Sequence, residues 1–418
     1  MKHILAGAAA AVAVGASGSA AALEWSIEPS TAFRYDWTNN YRFLAGGSDP
    51  GWDIAVSPGF KATTQSATTA FTWTGNVSAV HSSVVDPRNR IDANTSLSWS
   101  NRDERNTYAA TFTYVRDLTL ASELTTTGYL TDVVSRNSYI FSPSYTRALT
   151  ERWSFGISGS ANWARYSRTG DNGLDNYNNY SVSPTLSYAL TPQTRITGGI
   201  AGAWYHGTPI ENRTTSYSAT VGITHQYSER LNVAANVGYA HTHTQTDGLF
   251  VCLVPQVVSG QIVDQLFPSA NCPVPLTNTG ASDQTSNTPI YNLSATWNLS
   301  ELSTVTGSAS EAIIPSGLGS TLNAKSYFVG LSHNLTERLN SNVSVSLTDS
   351  KLSGSTGGVP SSQYRNLSAS LSYRLSLRWN LDAGYRYSQI VFSGSPNLSQ
   401  HFLYAALRYD FARMAFSQ

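Results

Sequence analysis

The feature that most constrains this chain is an alternation of apolar and polar residues with a period of two. Near the C-terminus, Trp379, Leu381 and Tyr385 share one parity. Residues between them, such as Asn380 and Asp382, are polar. Because successive side chains of a β-strand point to opposite faces, this alternation is typical of strands with one apolar and one polar face. It recurs along most of the chain and predicts an all-β protein.

The alternation predicts about 18 strands, with 16 to 18 as the range. Their expected spans are 24–36, 51–64, 67–82, 90–101, 104–118, 133–147, 151–167, 177–190, 193–206, 211–227, 229–244, 286–299, 301–313, 322–335, 337–351, 362–376, 378–392 and 399–411. Strands of soluble proteins contain roughly 5–6 residues, whereas a tilted strand crosses a bilayer with about 9–11. The sequence therefore predicts a transmembrane antiparallel up-and-down β-barrel.

The connections between these strands fall into two classes that alternate along the chain. Short turns occur at 149–152, 190–193, 227–230, 299–302, 335–338 and 375–378. Longer connections, rich in Gly, Asn, Ser and Asp, occur at 38–50, 119–132, 167–176, 245–285, 315–321 and 354–361, although 207–210 is short for this class. Short turns on one side and long loops on the other are typical of outer-membrane barrels. The alternation places both termini in the periplasm, which requires an even number of strands.

The first 22 residues have the features of a secretory signal peptide. Lys2 precedes an apolar stretch over 4–14, and Ala20, Ala21 and Ala22 supply the small residues that signal peptidase requires. We therefore expect residues 1–22 to be removed and residues 23–418 to form the barrel.

The composition excludes several classes of protein. Charged residues make up 12% of the chain, against roughly 25% in soluble domains. Beyond residue 22, no apolar run approaches the roughly 18 residues of a membrane-spanning helix. The 26 Lys and Arg residues balance the 26 Asp and Glu residues, so nothing indicates a nucleic-acid partner.

The 245–285 connection is too apolar for a solvated external loop. It contains Phe250, Val251 and Leu253 among other apolar residues, together with the only cysteines of the chain, Cys252 and Cys272. In an exported protein these cysteines predict a disulfide bond that would stabilise the fold by about 3 kcal/mol. We expect this loop either to fold into the barrel mouth and narrow the bore or to dock on a partner protein.

Residues on the polar parity should face the bore, and the charged ones among them are candidates for contact with a solute. These are Arg34, Asp36, Asp53, Lys61, Arg136, Arg374, Asp382, Arg386, Arg408 and Asp410. A barrel of 18 strands is too wide for side chains alone to fill, so a water-filled bore or a loop plug is expected. Positive charge near the last strands and negative charge near the first would form either salt bridges or a field across the bore.

No set of residues predicts catalysis, and no cofactor or metal is expected. No serine and histidine stand at a spacing that singles out a nucleophile and its base, so the chain is predicted not to be an enzyme. His241 and His243 would share one side of a strand. They fit a place in the aromatic belt better than a metal pair, because no third ligand is evident.

Three features near the strand ends yield further expectations. Aromatic residues there indicate girdles at the two headgroup levels, namely Trp25, Tyr35, Trp37, Trp99, Trp163, Tyr188, Trp204, Tyr205, Trp297 and Trp379. Pro58, Pro143 and Pro184 interrupt good strands and predict bulges. The last strand is expected to end at Phe411 with a free tail, and continuation towards Phe416 is the alternative.

The start of the predicted mature chain resembles a family of proteobacterial outer-membrane β-barrel porins. The residues that carry the resemblance are Trp25-Ser26-Ile27-Glu28-Pro29-Ser30, Tyr35, Asn39-Asn40, Asp53, Val56-Ser57-Pro58-Gly59 and the Leu-Thr-Glu-Arg turns. Some members of that family are associated with exopolysaccharide and exosortase (PEP-CTERM) gene clusters. The resemblance implies a barrel linked to the cell envelope and to export of a surface polymer. It supplies no catalytic residues.

Two functions follow as expectations. The first is a channel in the cell outer membrane, either for passive diffusion of small solutes or for export of a polysaccharide. The second is a non-conducting barrel that scaffolds envelope or secretion components. The expected partners are outer-membrane lipid, the barrel assembly machinery, the solute or polysaccharide itself and, as an open option, further copies of the chain.

Overall fold

The computed structural model describes most of the chain beyond the expected signal peptide. The described residues are 24–44, 49–84, 88–128, 133–169, 174–208, 212–246, 249–258, 261–268, 276–279, 282–352, 361–392 and 397–417. Residues 1–22 lie outside them, so their role as a signal peptide stays a prediction.

Long β-strands dominate the described residues. They are β1 Glu24–Thr38, β2 Gly51–Gln65, β3 Thr69–Ser82, β4 Asn89–Arg102, β5 Asn106–Leu118, β6 Ser135–Ala148, β7 Trp153–Tyr166, β8 Asn176–Thr191, β9 Thr194–Thr208, β10 Asn212–Gln226, β11 Leu231–Thr246, β12 Leu249–Val258, β13 Gln261–Pro268, β14 Leu276–Thr279, β15 Ser282–Ser300, β16 Ser303–Pro315, β17 Thr321–Asn334, β18 Leu339–Leu352, β19 Ser362–Arg374, β20 Trp379–Phe392, β21 Leu398–Asp410 and β22 Met414–Ser417. One short helix, α1 Glu123–Thr127, lies between β5 and β6. Among the described residues, no helix has the length and apolar character of a membrane span.

Eighteen of these strands form a closed barrel, as the alternation predicts. β1–β11 and β15–β21 each pair antiparallel with the next long strand, and β21 returns to pair with β1 at Ser30–Asp410. Closure leaves no sheet edge, which is what a β-structure in lipid requires. The predicted spans agree with the observed strands to within four residues at each end. The periplasmic placement of both termini stays a prediction.

The sequence did not predict the fold of the 245–285 connection. β12, β13 and β14 form a separate three-stranded antiparallel sheet there. Cys272 and the side chain of Cys252 lie outside the described residues, so the disulfide bond stays a prediction. The expectation that this connection narrows the bore rests on side chains outside the described part and also stays a prediction.

The two faces of the barrel differ in character. Large apolar side chains stand exposed on the outer face, such as Phe33, Ile200 and Val221, whereas Ser, Thr and Asn alternate with them on the inner face. Aromatic pairs mark both ends of the outer face, including Tyr114–Tyr139 near the long loops and Tyr108–Tyr145 near the short turns. The expected girdles are present.

Tyr205 is an exception to the girdles, and its expected place was wrong. Its side chain is on the inner face and is 3% exposed, packed with Tyr177 and Tyr166. Trp204, the next residue, is the one that faces outward. A large residue at the end of a strand can therefore mark a contact inside the barrel as well as a headgroup level.

The short turns share one hydrogen-bonding pattern, which explains why their sequences are similar. The Thr150 hydroxyl accepts hydrogen bonds from the backbone N–H groups of Arg152 and Trp153 at 3.2 and 3.0 Å. Asp103 supplies the same function with its carboxylate, accepting from Asn106 N at 2.6 Å. Ser66, Ser228, Thr336 and Ser376 accept the corresponding pairs in their own turns. A hydroxyl or carboxylate three residues before the next strand therefore stabilises these turns.

The three strand prolines, Pro58, Pro143 and Pro184, do not form bulges, contrary to the prediction. Each proline stays paired with the preceding strand. Pairing with the following strand lapses for two residues and then resumes in the same register, at Pro58, Pro143 and Pro184. Proline lacks an N–H to donate, so the ladder loses a bond there without gaining a residue.

The last strand does not end at Phe411, and the expected free tail was wrong. β22 continues the pairing with the first residues of β1, with Phe416 opposite Trp25. The register shifts by one residue between the β21 and β22 pairings. The shift falls at Pro29, whose carbonyl accepts from Phe411 N at 3.0 Å but which has no N–H to return. The bulge lets Met414 and Phe416 face outward and covers an edge of β1 that would otherwise be open.

Deleting residues 414–418 is expected to destabilise the barrel, because Glu24–Ile27 would lose their partner on one side. At about 1 kcal/mol per hydrogen bond, the loss is roughly 2–4 kcal/mol. The thermal midpoint, measured in detergent by heat-modifiable electrophoretic mobility, should fall by several degrees. Removing Gln418 alone is the control, and equal midpoints for the two truncations would contradict the role of β22.

Candidate functional site

Buried side chains concentrate in the half of the barrel next to the long loops. Three segments fold inward there: the α1 loop (residues 119–128 and 133–134), the 316–320 loop and the 39–44 segment. Among the described buried apolar residues, all except Ala62 lie in this half. The other half of the inner face is lined by open Ser, Thr and Asn side chains. The candidate site is the constriction formed by these three segments.

Ionic contacts anchor the α1 loop to the wall from which it departs. Arg136 of β6 donates from Nη1 to Glu123 Oε1 at 3.1 Å, and its Nε lies 3.5 Å from Asp117 Oδ1. Tyr166 of β7 donates its hydroxyl to the Glu123 carboxylate, and Ser122 Oγ donates to Asp117 at 3.1 Å. The one cation between two carboxylates holds the start of α1 against β5, β6 and β7.

The far end of the α1 loop contacts the opposite part of the wall. Leu124 is 2% exposed and packs against Phe43, Tyr364 of β19 and Ile390 of β20. Ser362 Oγ donates to the carbonyl of Gly128. Gly128 ends the helix with a φ of 74°, a left-handed conformation that glycine adopts without strain. The α1 loop therefore crosses the bore from β5–β6 to β19–β20.

The 316–320 loop closes a second part of the bore against β7–β9. Tyr205 donates to Ser316 O at 2.9 Å, and Asp175 N donates to Gly317 O at 2.6 Å. Gly317 packs so closely on Tyr166 that a Cβ there would clash with the ring. Burial raises the pKa of the Asp175 carboxyl to about 6, because the charged form loses its hydration there.

The 39–44 segment completes the constriction. Asn40 is fully buried and donates from Nδ2 to the carbonyls of Leu44 and Ser399, each at 3.0 Å. Tyr41 donates its hydroxyl to Asp53 Oδ2 at 2.7 Å and packs against Leu118. This segment is thereby fixed between the β2 wall and the α1 loop.

The charged candidates lie at two levels of the inner face. Arg34, Asp36, Asp53, Arg136 and Arg386 lie next to the constriction. Lys61, Arg374, Asp382, Arg408 and Asp410 lie towards the short turns. All ten belong to β1, β2, β6 and β19–β21. Apart from Glu311 of β16, which lines the cavity described below, β10, β11 and β15–β18 present no charged residue to the bore, so charge lies mainly on one side of it.

Charges near the closure between β1 and β21 pair mostly within strands, and Arg413 with Glu28, 4.0 Å apart, is the one described ion pair across it. Arg34 lies 2.7 Å from Asp36, and Arg408 lies 3.1 Å from Asp410. Asp53 instead binds Arg90 of β4 at 2.9 Å, a partner that the candidate set lacked. Asp382 accepts from Ser372, and Arg374 donates to the Glu337 carbonyl at 3.4 Å. No hydrogen bond or ion pair of the Lys61 side chain is found among the described residues, so Lys61 takes no part in the site.

Two guanidinium groups stack on aromatic rings below the constriction. Arg34 Cζ lies 4.4 Å from the ring centroid of Tyr404, and Arg386 Cζ lies 4.4 Å from that of Phe402. Arg386 differs from Arg34 in having no carboxylate within 4 Å among the described residues, and its Nε lacks a hydrogen-bond acceptor there. An unpaired cation beside a narrow bore is a binding group for an anion.

A cavity of about 420 Å³ lies under the 316–320 loop, on the uncharged side. Its lining includes Tyr205, Ser216, Asn236 and Asn292, with Glu311 as the one charged residue. The constriction therefore lies between a charged side of the bore and a side lined mainly by hydroxyl and amide groups.

His241 and His243 lie on the outer face near the long loops. His241 Nδ1 is 2.7 Å from Asn287 Oδ1, and His243 Nε2 is 2.5 Å from Asp283 Oδ1. Among the described residues, no group of three metal-binding side chains is found. These contacts are those of interfacial histidines.

One family model and several solved structures are similar to this chain. The family described as "Putative MetA-pathway of phenol degradation" matches residues 125–251. Among solved structures, the outer membrane protein OpdK of Pseudomonas aeruginosa is 10% identical over 92% of this chain and 99% of its own, with a TM-score of 0.45. OccAB2 of Acinetobacter baumannii is 10% identical over 93% and 98%, with 0.46. The ferric-catecholate receptor Fiu of E. coli K12 is 9% identical over 92% and 81%, with 0.48. No curated protein matches the chain.

The assignment to a membrane rests on the chain's own geometry. A closed sheet of long strands, apolar outside between two aromatic girdles, is the form in which β-structure spans a bilayer. The chain is an outer-membrane β-barrel.

Proposed function

We propose that the chain is a channel for passive diffusion of small anionic solutes across the outer membrane. The observation that carries this proposal is Arg386, an inward-facing guanidinium without a carboxylate partner among the described residues, next to the constriction. A solute carboxylate or phosphate would complete its hydrogen bonding. Arg34, one strand beyond β21, adds a second guanidinium that Asp36 neutralises in part.

The aromatic backing of both arginines favours planar anions. A guanidinium stacked on a ring keeps its edge N–H groups free for a bidentate carboxylate. Phe402 and Tyr404 would offer their remaining surface to an aromatic ring of the solute. The partial match to a family named for phenol degradation is compatible with an aromatic acid, and benzoate is therefore a suitable probe.

The constriction favours small solutes over a polysaccharide. The α1 loop ties β5–β6 to β19–β20, and the 316–320 loop occupies the bore beside it. The adjoining cavity of about 420 Å³ is in the range that holds a small molecule. A polymer would have to displace both loops.

Replacing Arg386 with Gln is expected to lower the preference for anions about three- to tenfold, because an unpaired charge near the bore contributes roughly 1 kcal/mol. The measurement is the reversal potential of single channels in a planar bilayer under gradients of KCl and of potassium benzoate. Arg408→Gln is the matched control, since Arg408 is already paired with Asp410. A cation-selective wild-type channel, or an unchanged R386Q channel, would refute the proposal.

A non-conducting scaffold is the second candidate. The observation in its favour is that three apolar clusters fill the mouth around Leu124, Tyr41 and Tyr205. Absence of conductance in the reconstituted wild-type protein, together with conductance after the α1 loop is shortened, would support the scaffold over the channel.

A further inference from the structure

Two copies of one side-chain arrangement lie on the outer face at the short-turn rim. Each begins with an Arg-Trp pair that follows a short turn, at Arg152-Trp153 and at Arg378-Trp379. A tyrosine on the next strand completes each arrangement, Tyr188 on β8 and Tyr409 on β21. We call each Arg-Trp-Tyr set a clamp.

The first clamp is held by its turn. Thr150 Oγ1 accepts from the backbone of Arg152 and Trp153, which fixes the direction of both side chains. Trp153 and Tyr188 pair with ring centroids 4.7 Å apart at 44°. Arg152 Nη1 donates to the Tyr188 hydroxyl at 3.5 Å.

The second clamp repeats this geometry on the other side of the barrel. Ser376 Oγ accepts from the backbone of Arg378 and Trp379, each at 3.2 Å. Trp379 and Tyr409 pair at 4.8 Å and 53°. Arg378 Nη1 donates to the Tyr409 hydroxyl at 3.3 Å. The same arrangement in two distant places indicates a common role.

Both clamps present unused hydrogen-bond donors. Arg152 and Arg378 have no carboxylate within 4 Å among the residues that the structure describes. A guanidinium carries five N–H groups, and the tyrosine that accepts one of them still has its own O–H to donate. Such a set of donors matches the oxygen atoms of a phosphate group.

The surroundings of the clamps are apolar and exposed. Leu149 and Leu186 flank the first clamp, and Leu375 and Leu381 flank the second, all facing outward. A headgroup phosphate at the clamp would therefore place acyl chains along these leucines. The combination fits a lipid better than a soluble phosphate.

We propose that each clamp binds the phosphate of a glycerophospholipid in the leaflet at the short-turn rim. The arginine and the tyrosine hydroxyl bind the phosphate, and the Trp–Tyr pair supports the glycerol region. This inference is independent of the proposed channel function.

The chain supplies a matched control. Arg230 and Arg338 occupy the same turn position, with Ser228 and Thr336 as the accepting hydroxyls. Leu231 and Leu339 follow them instead of tryptophan. Among the described residues, neither arginine donates a hydrogen bond to a tyrosine. They carry the same charge at the same rim without the clamp.

The test is native mass spectrometry of the delipidated full-length barrel titrated with dioleoylphosphatidylglycerol. Wild type is expected to bind two lipids tightly, and R152Q/R378Q to bind them about tenfold more weakly, as expected for loss of a charge-assisted bond. R230Q/R338Q should bind as wild type does. Heat-modifiable mobility confirms that each variant is folded.

Several outcomes would overturn the inference. Equal affinity of wild type and R152Q/R378Q would show that the clamps do not bind the lipid. Equal weakening by R230Q/R338Q would show that any positive charge at this rim has the same effect. Equal binding of dioleoylglycerol would exclude a role for the phosphate. Displacement of the lipid by millimolar inorganic phosphate would make the soluble anion the ligand.

Discussion

Shortening the α1 loop is expected to raise the single-channel conductance several-fold. The change replaces residues 121–132 with a Gly-Ser turn. It retains Thr119 and Val134, whose backbone hydrogen bond, from Thr119 N to Val134 O at 2.9 Å, closes the β5–β6 pairing. It removes Glu123, Leu124 and the contacts that the α1 loop makes with β19 and β20. Because the barrel wall keeps all its strand pairings, the thermal midpoint should change little while the bore widens. Conductance in a planar bilayer at 1 M KCl is the measurement.

Deletion of residues 250–275 is the companion experiment. Residues 249–258, 261–268 and 276–279 form a sheet of their own, whereas the α1 loop is bonded into the wall. If the 245–285 connection narrows the bore as the sequence suggests, this deletion also raises the conductance. If only the α1 loop does so, this deletion leaves it unchanged. No increase after shortening the α1 loop would contradict the constriction described above.

The barrel itself could be predicted from the sequence because its determinants are local. A period of two over a dozen residues specifies a strand, and a hydroxyl such as Thr150 or Thr336 specifies the turn that follows. Each barrel strand pairs with the next long strand in the chain, apart from the pairing of β11 with β15 across the 245–285 connection and the closure of β21 and β22 on β1. No contact between distant segments is needed to infer the architecture.

The constriction could not be predicted in the same way, because its contacts are non-local. Leu124 lies in a polar stretch of threonines and is buried only because Phe43, Tyr364 and Ile390 meet it. From the sequence alone, the apolar 245–285 connection is therefore the better candidate for a constriction. One signal was available: Tyr166, Tyr177, Tyr205, Tyr364 and Ile390 are large residues at inner-face positions where most strands carry Ser or Thr. Together they mark the level at which something fills the bore.

The expectation of a free tail after Phe411 fails because of a residue in the first strand. Pro29 of β1 accepts a hydrogen bond from Phe411 N but has no N–H to donate to the last strand. That defect forces the one-residue shift that brings Phe416 outward. The alternation within the last strand carries no information about Pro29, so it could not predict this shift.

Replacing Arg136 with Met is the second change with a large expected effect. Arg136 is the only described cation that contacts both Glu123 and Asp117, and all three side chains are at most 21% exposed. Removing one member of a buried ionic group costs about 3–5 kcal/mol, since the remaining charges are left without compensation. The α1 loop should therefore leave the wall, and the conductance should approach that of the shortened-loop variant. Strand pairing of β6 is unaffected by the side chain, so the barrel should stay folded.

The triple variant R136M/D117N/E123Q distinguishes the ionic contact from mere packing. It removes the uncompensated charge while retaining the shape of the two acidic side chains, so the loop should return and the conductance should fall towards the wild-type value. Arg136→Lys keeps the charge without the fork that reaches both carboxylates, and an intermediate conductance is expected. Arg408→Gln, which breaks an exposed pair within one strand, should leave the conductance unchanged. If R136M and the triple variant conduct equally, uncompensated charge is not what releases the loop. If both conduct as wild type does, the apolar contacts of Leu124 are enough to hold the loop. If both conduct as the shortened-loop variant does, the contacts of Arg136 itself hold it.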